Sequence, residues 1–407
     1  MNKARRVTIL GLNYAPEPTG NAPYTASLAE HLVRNGTKTR VISGFPHYPQ
    51  WRRMPGDEGW RRTDVLRGVD VRRLAHWIPN PPRGVRRLLS EITFGLHSIT
   101  VSWGRPETIV LVSPALFASA LAMLRATATR RARVLWVQDL YSQGMTETGE
   151  GGGVAVAVTR CVERWTLRRA HRVVAIHDAM ANRMVQDLDV DRERIMVIEN
   201  WTHIARSTAS RNEARQRLGW SLEGFVALHA GNMGRKQGLE NLVETARLAE
   251  ERGVPIHIVM LGDGAERKQL GELAAGLDRI IFMDPLPGDE FPLALAAADA
   301  LLVNELPGVS EMAVPSKLTS YFAAAKPVVA AVGQGGIVAS IMGRAQAGPV
   351  VESGNPGALL GALKSLSSDI EEQERASRAA KAYWHDHLSA EMALAAWDEI
   401  LVDVTRR

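Results

Sequence analysis

Short apolar runs and helically spaced apolar positions alternate along most of this chain. Residues 7–13 make a buried-type strand, and the loop after it holds two prolines and Gly20. Tyr24, Leu28, Leu32 and Val33 then recur at helical spacing, and residues 38–44 read as a second strand. This opening, strand–loop–helix–strand, is how a doubly wound α/β sheet begins. Further strand-length runs fall at 108–112, 134–137, 173–176 and 196–199, with helical patterns between them. The polar stretch 200–215, with Ser207, Thr208, Ser210 and Asn212, reads as a linker. The pattern restarts at Phe225, with predicted strands at 226–230, 256–261, 280–283, 300–304 and 327–331. Residues 376–404 read as helical and carry Tyr383, Trp384, Leu388, Leu394 and Trp397. The expectation is two αβ domains, 1–203 and 204–385, with a terminal helix 386–407 returning to the first.

Composition adds limits. With 407 residues, 45% hydrophobic and 23% charged, the chain matches a globular protein of two or three domains. The single Cys161 excludes an internal disulfide and fits a reducing compartment. No apolar run is long enough for a membrane span, so a cytoplasmic setting is expected. The basicity is local. Residues 51–90 hold ten arginines against four acids, a larger excess than the net +5 of the whole chain. Such a segment suits anionic lipid, nucleic acid, acidic substrates or plain solvent. Within it, Leu88, Leu89, Ile92, Phe94, Leu96 and Ile99 lie among Arg83, Arg86 and Arg87. That is either a membrane-surface helix or one that covers a sheet.

The loops at predicted strand ends carry the candidate chemistry. The first holds Glu17, Gly20 and Asn21, and Gly20 lets a backbone approach a ligand. It is not a GxGxxG loop, so a dinucleotide is disfavoured. After the second strand, FPHYPQWRR brings His47 and Tyr48. Asp139 follows Gln138 at another strand end, where a carboxylate steers a hydroxyl, acts as a base or caps a helix. Gly149 and Gly151–Gly153 form a flexible turn. In the second half, GNMGRKQG carries Gly231, Asn232, Arg235, Lys236 and Gln237, and GDG places Gly262 and Gly264. Residues 304–332 run through Glu311, Pro315, Ser316 and Lys317 into a short helix. Ser316 can cap that helix, and its first-turn N–H groups, its dipole and Lys317 suit an anion. Two such cationic loops at neighbouring strand ends can cradle a diphosphate.

YAPEPTGNAPYT, FPHYPQW, GNMGRKQGLE and VPSKLTSYFAAAKPVV, in this order, resemble the family 4 glycosyltransferases, with most likeness to the WcaI/WbuB-like fucosyltransferase branch. The resemblance implies the GT-B fold, two Rossmann-like domains facing across a cleft. A nucleotide-diphosphate sugar, GDP- or UDP-linked, would sit on the C-terminal domain. A polysaccharide or lipid-linked saccharide acceptor would sit on the N-terminal domain. It also implies transfer with retention, no metal, no bound cofactor and no nucleic-acid partner. With the resemblance, catalysis is expected of Lys236, Lys317 and Glu311, and of Asp139 from its place at a strand end. Donor contacts fall to Gly231, Asn232, Arg235, Gln237, Gly262, Gly264, Pro315, Ser316 and Ser320, and acceptor contacts to Glu17, Gly20, Asn21, His47 and Tyr48. The chain departs from the family at Ser320, where a ribose-binding Glu is usual, at Gln138, where a His is common, and at Asn232 and Gln237, where an Arg and a Lys are usual and for which Arg235 and Lys236 are expected to compensate. Asp187-Leu188-Asp189 has the form of a metal-binding DxD but reads as solvated surface. The expected work is surface polysaccharide or glycolipid synthesis, in the cytoplasm or on the inner face of the plasma membrane through residues 52–87. A sugar-nucleotide epimerase and a non-catalytic anion-binding adaptor are the alternatives.

Overall fold

The computed structural model describes residues 5–17, 20–80, 84–148, 152–202, 204, 206–220, 223–288, 290–308 and 316–406. The chain forms two compact units, Met1–His203 with Ala393–Arg407, and Ile204–Met392. Each is a largely parallel sheet with helices, a Rossmann-like α/β fold.

The first sheet contains β1 (Arg6–Leu10), β2 (Lys38–Gly44), β3 (Arg61–Leu66), β4 (Val69–Leu74), β5 (Thr108–Ser113), β6 (Ala132–Val137), β7 (Arg172–Ala175) and β8 (Ile195–Val197). Their order is β3-β4-β2-β1-β5-β6-β7-β8. Among the described residues, only the β3–β4 pair is antiparallel. All six residues of β5, Thr-Ile-Val-Leu-Val-Ser, are buried, as a central parallel strand covered on both faces requires. Helix Ala22–Arg34 buries Tyr24, Leu28 and Leu32. The last helix, Ala390–Arg406, belongs to this unit from Ala393 onward. Its Trp397 is fully buried, edge-on to Trp136 at 4.8 Å, and Trp136 stacks on Trp201. Asp398 meets His31 at 2.8 Å and Asp403 meets Arg172 at 2.7 Å.

The second sheet contains β9 (Phe225–Ala230), β10 (Ile256–Leu261), β11 (Ile280–Met283), β12 (Ala300–Asn304), β13 (Val328–Ala331) and β14 (Val350–Val351), in the order β11-β10-β9-β12-β13-β14. All pairs are parallel. Alternate strand residues feed two cores. Val226, Leu228, Val259 and Leu261 lie in one, and Phe225, Ala227, Ile256 and Ile258 in the other. That double burial is why these strands read as unbroken apolar runs.

Four sequence expectations change. Residues 61–74 form a hairpin rather than a diffuse basic segment. Its turn, Arg67-Gly68, takes positive φ at both positions (47° and 82°), as two-residue hairpin turns require. Arg73 is only 1% exposed and donates to Ser43 Oγ and the Ala15 carbonyl, so it is no part of a surface patch. Arg62 pairs with Asp57 and Asp64, and Arg40 with Asp70. The predicted linker contains helix Arg211–Arg217, started by a reciprocal Ser210–Glu213 capping box. The terminal helix is not continuous: a π-turn at Trp384–Leu388 and extended Ser389 divide it. Among the described residues, no helix is long and apolar enough to cross a membrane.

Candidate functional site

In each sheet the strand order reverses at one point, between β1 and β5 in the first and between β9 and β12 in the second. Parallel sheets bind ligands beyond the carboxyl ends of the strands at such points, because the two flanking loops diverge and leave a crevice. The loops after β9 and β12 carry the predicted diphosphate-binding residues.

These loops are stitched together. Leu306 N donates to the Lys236 carbonyl at 2.9 Å, and Asn304 Nδ2 donates to the carbonyls of Gln237 (2.7 Å) and Gly238 (2.9 Å). Gln237 closes its own turn by accepting from Gly234 N. Gly231, Asn232, Arg235 and Lys236 are exposed. A Cβ at Gly231 would lie 3.8 Å from Lys317 Cε and 3.9 Å from its Nζ, so the ammonium stands beside the Gly231 backbone. Lys317 is the second residue of helix Ser316–Ala323. The Tyr321 hydroxyl of that helix accepts from Ala230 N at 2.8 Å and donates to Ala230 O at 3.3 Å. The helix is thereby tied to the end of β9. Fully buried His229 beneath is pushed down by burial and then by the charge of Lys317, so the neutral imidazole adds no repulsion. Ser320 is 6% exposed. Glu311 and Pro315 lie outside the described residues, as does the side chain of Ser316.

Gly262 and Gly264 build the other wall. A Cβ on Gly262, at φ +141°, would stand 2.0 Å from Gly231 O, and one on Gly264 would stand 2.4 Å from Met233 O. Met233 N donates to the Asp263 carbonyl at 2.8 Å. Gly262→Ala therefore forces the two loops apart and places Ala in a backbone region it disfavours. The expected cost is about 3 kcal/mol or more. It is read as a lowered melting temperature, and a wild-type melt would show that the contact is soft.

In the first unit, Glu17, Gly20, His47 and Tyr48 come together. Glu17 Oε1 accepts from His47 N and Tyr48 N, both at 2.8 Å, and pins the second loop to the first. A Cβ on Gly20 (φ +68°) would rest 3.6 Å from the Tyr48 ring. His47 is 1% exposed and its Nδ1 faces the Phe45 carbonyl at 2.9 Å. Its ring meets His76 edge-on at 4.7 Å, and burial pushes His76 down to about 3. The Asn21 carbonyl, not its side chain, serves the following helix by accepting from Thr25 N. Asp139 follows β6, two strands from β1. Gln138 and Asn200 form a reciprocal amide pair at 3.1 and 2.8 Å. The Asp139 loop is clamped by buried Glu163, which accepts from Tyr141 N (2.7 Å) and Ser142 Oγ (2.5 Å). Gly152 precedes helix Gly153–Arg169, and Gly149 and Gly151 lie outside the described residues. Asp189 is exposed and paired with Arg164 and Arg168. Among the described residues, no group of three or more His, Cys, Asp or Glu is arranged to hold a metal.

Sequence reasoning missed Tyr321, Glu163 and His76. Tyr321 and Glu163 sit on helices whose spacing marks a buried face but not a hydrogen bond to a distant loop. His76 is admitted by Gly44, where a Cβ would clash at 2.7 Å with the ring, and nothing local signals this.

Comparison with known proteins fits this geometry. Residues 19–201 match the glycosyl transferase 4-like domain and residues 210–383 match the glycosyl transferases group 1 domain. WcaI of Escherichia coli K12, named as a colanic acid biosynthesis glycosyl transferase, is 31% identical over 335 residues, which is 78% of this chain and 81% of that protein. A 2-deoxystreptamine glucosyltransferase of Streptomyces kanamyceticus is 27% identical over 59% of this chain and 63% of its own. Sucrose-phosphate synthase from Thermosynechococcus elongatus superposes with a TM-score of 0.73 at 14% identity, covering 98% of this chain and 99% of that one. Anabaena HepE in complex with UDP gives 0.70 at 16%, covering 98% and 100%. With both domain types matched in tandem and a relative of 31% identity along most of its length, the chain belongs to the family 4 glycosyltransferases of GT-B fold.

Proposed function

We propose that this enzyme transfers a sugar, with retention and without a metal, from a GDP- or UDP-linked donor to a hydroxyl of a polysaccharide or lipid-linked saccharide, in surface polysaccharide or glycolipid synthesis. The main support is the Lys317 ammonium beside the Gly231 backbone, at the reversal point of the second sheet. HepE, a structural neighbour, was crystallised with UDP and with UDP-glucose, and WcaI is named for a surface polysaccharide.

In this reading the second unit takes the donor and the first takes the acceptor. The anomeric carbon–phosphate oxygen bond breaks as the bond to the acceptor oxygen forms on the same face. The acceptor proton passes to the leaving phosphate. Negative charge builds on the diphosphate, and Lys236, Lys317 and the start of helix Ser316–Ala323 stabilise it. Glu311 orients the sugar and Asp139 the acceptor. Glu17 holds the His47–Tyr48 loop in place for the acceptor. Arg52, Arg61 and Arg86, all exposed, attract an anionic membrane surface where a lipid-linked acceptor resides.

The test uses radiolabelled UDP- and GDP-sugars with a lipid-linked saccharide in anionic or neutral vesicles. Label passing to the acceptor with unchanged anomeric configuration is expected. An inverted product overturns retention, an isomerised sugar nucleotide makes the protein an epimerase, and no turnover makes it an adaptor. Co-sedimentation should occur with anionic vesicles only; no binding to either kind removes the membrane contact.

A further inference from the structure

Three helices, Val85–Thr100, Leu116–Ala128 and Gly153–Arg169, lie side by side on one face of the first sheet and send Phe94, Ala122 and Leu167 into the same core. Gly95 lets the first two touch, since a Cβ there would stand 2.8 Å from both Ala118 Cα and Leu121 Cδ1. The outer sides of all three helices are apolar. Leu89, Leu96, Leu124, Val154 and Val158 are each between 45% and 81% exposed. On the second helix half-buried Phe117 and Leu121 lie in line with Leu124, and on the third exposed Cys161 and half-buried Trp165 continue the row from Val158. Spacings of three and four residues keep each row on one side of its helix, away from the residues that enter the core. A lone exposed leucine is ordinary, but rows on three adjoining helices make a continuous apolar face, which marks an interaction surface. Exposed Trp60 and Trp77 extend it past the first helix. The Trp60 ring lies 4.8 Å from that of His97, and Trp77 N donates to Thr93 Oγ1 at 3.1 Å.

The charges on these helices have one sign at the surface. Together the three hold seven arginines and two acids, and both acids, Glu91 and Glu163, are buried. Arg86, Arg160, Arg164, Arg168 and Arg169 are exposed. A single carboxylate from the next helix end, Asp189, meets Arg164 and Arg168 together. A second copy of this chain seated on the same face would set arginine against arginine, which disfavours a symmetric dimer. A bilayer with anionic headgroups complements every part of the face. Apolar rows enter the boundary between headgroups and acyl chains, arginines meet phosphates, and tryptophans sit at the interface.

We infer that the outer face of these three helices is the surface by which the first unit lies on an anionic bilayer, with Leu124, Val154 and Val158 entering the headgroup boundary. The inference rests on the membrane contact proposed above and moves its main part to a different surface. Arg52 and Arg61 attract the bilayer from a distance, and the apolar rows hold it. Binding therefore survives salt that releases a purely electrostatic contact. Raising salt from about 0.15 M to 1 M shortens the Debye length from about 8 Å to about 3 Å but leaves apolar burial in force.

Flotation with vesicles of phosphatidylglycerol and phosphatidylcholine, at both salt concentrations, tests this. One variant carries Leu124→Ser with Val158→Ser, which removes apolar surface and adds no charge, and the other carries Arg52→Gln with Arg61→Gln. All four side chains are exposed, so both variants should fold, and melting curves check it. The serine pair should weaken binding about tenfold or more at either salt, and the glutamine pair at low salt only. Leu96→Ser, on the neighbouring helix, is the second apolar variant and should weaken it severalfold. Binding that the glutamine pair abolishes and neither serine variant alters overturns this inference and keeps the membrane contact. No binding by the unaltered protein overturns both. A dimer in analytical ultracentrifugation that the serine pair dissociates gives the face to a second copy and likewise overturns the inference. Transfer to a water-soluble saccharide should be unchanged in the serine pair, so the sugar-transfer reading is judged separately.

Discussion

Lys317→Ala lowers kcat by about 10²- to 10³-fold and leaves the melting temperature nearly unchanged. The ammonium stands beside the Gly231 backbone and only partly buried, so its loss opens no core cavity. The first turn of helix Ser316–Ala323 stays in place through Tyr321, whose hydroxyl grips both backbone groups of Ala230. In the proposed reaction, what disappears is a positive charge where negative charge would grow as the diphosphate departs. An interaction that strengthens on the way to the transition state appears in kcat more than in KM. Lys317→Arg restores the charge with a different shape and should recover part of the rate. Steady-state kinetics with a saturating donor decide the matter, and wild-type turnover in Lys317→Ala would falsify the assignment.

Glu91→Gln stabilises the protein, and by more as pH rises from 5 to 8. Glu91 is 2% exposed on helix Val85–Thr100, accepts from Phe117 N at 3.3 Å, and lies 3.8 Å from Arg87. Burial outweighs these contacts and pushes its carboxyl up to about 8 from an ordinary 4.5. Above pH 4.5 the unfolded chain sheds this proton while the native state keeps it until about pH 8. The native state therefore binds more protons, and the stability this group supplies below pH 4.5 is lost as pH rises through that window. Glutamine has no proton to lose. The gain should be on the order of a few kcal/mol at pH 8 and small at pH 5. Thermal melts at pH 5, 6.5 and 8 measure it. A difference that stays constant with pH would mean the native carboxylate is already ionised against Arg87.

Glu91 also shows where sequence reading stops. The apolar stripe of its helix, Leu88, Ile92 and Ile99, is only half-buried, and the face that is buried carries Ser90, Glu91, Phe94 and Ser98 instead. Whether a Glu on that helix faces water or the backbone of residues 116–117 depends on helix packing, which no local spacing encodes. The strands were legible wherever both faces are buried, as in Thr108–Ser113, since every position must then be apolar. The hairpin Arg61–Leu74 was not, because an edge strand with one wet face tolerates charge at alternate positions, and its turn is Arg-Gly rather than Asn-Gly. Ser210 and Glu213 did carry a helix-start signal, three residues apart, that the surrounding polar residues masked. The residues beside the second sheet's reversal point were readable because glycines and lysines cluster at two strand ends. The Tyr321 tether between helix and strand was not, since its partner, Ala230, lies 91 positions away.

The burial of Trp397 against Trp136 has a bearing on how the protein is made. The first unit needs residues 393–407 to close its core, yet the whole of the second unit is translated before them. At ordinary elongation rates those roughly 190 residues take about 10–40 s. For that time the edge of Trp136 that meets Trp397, and the apolar surface awaiting Ile400, Leu401 and Val404, stay uncovered on the nascent chain. The second unit meets no such delay and can fold first, although it is encoded second. Nascent first-unit chains that stop short of residue 393 are thus the species most prone to aggregate or to be held by a chaperone.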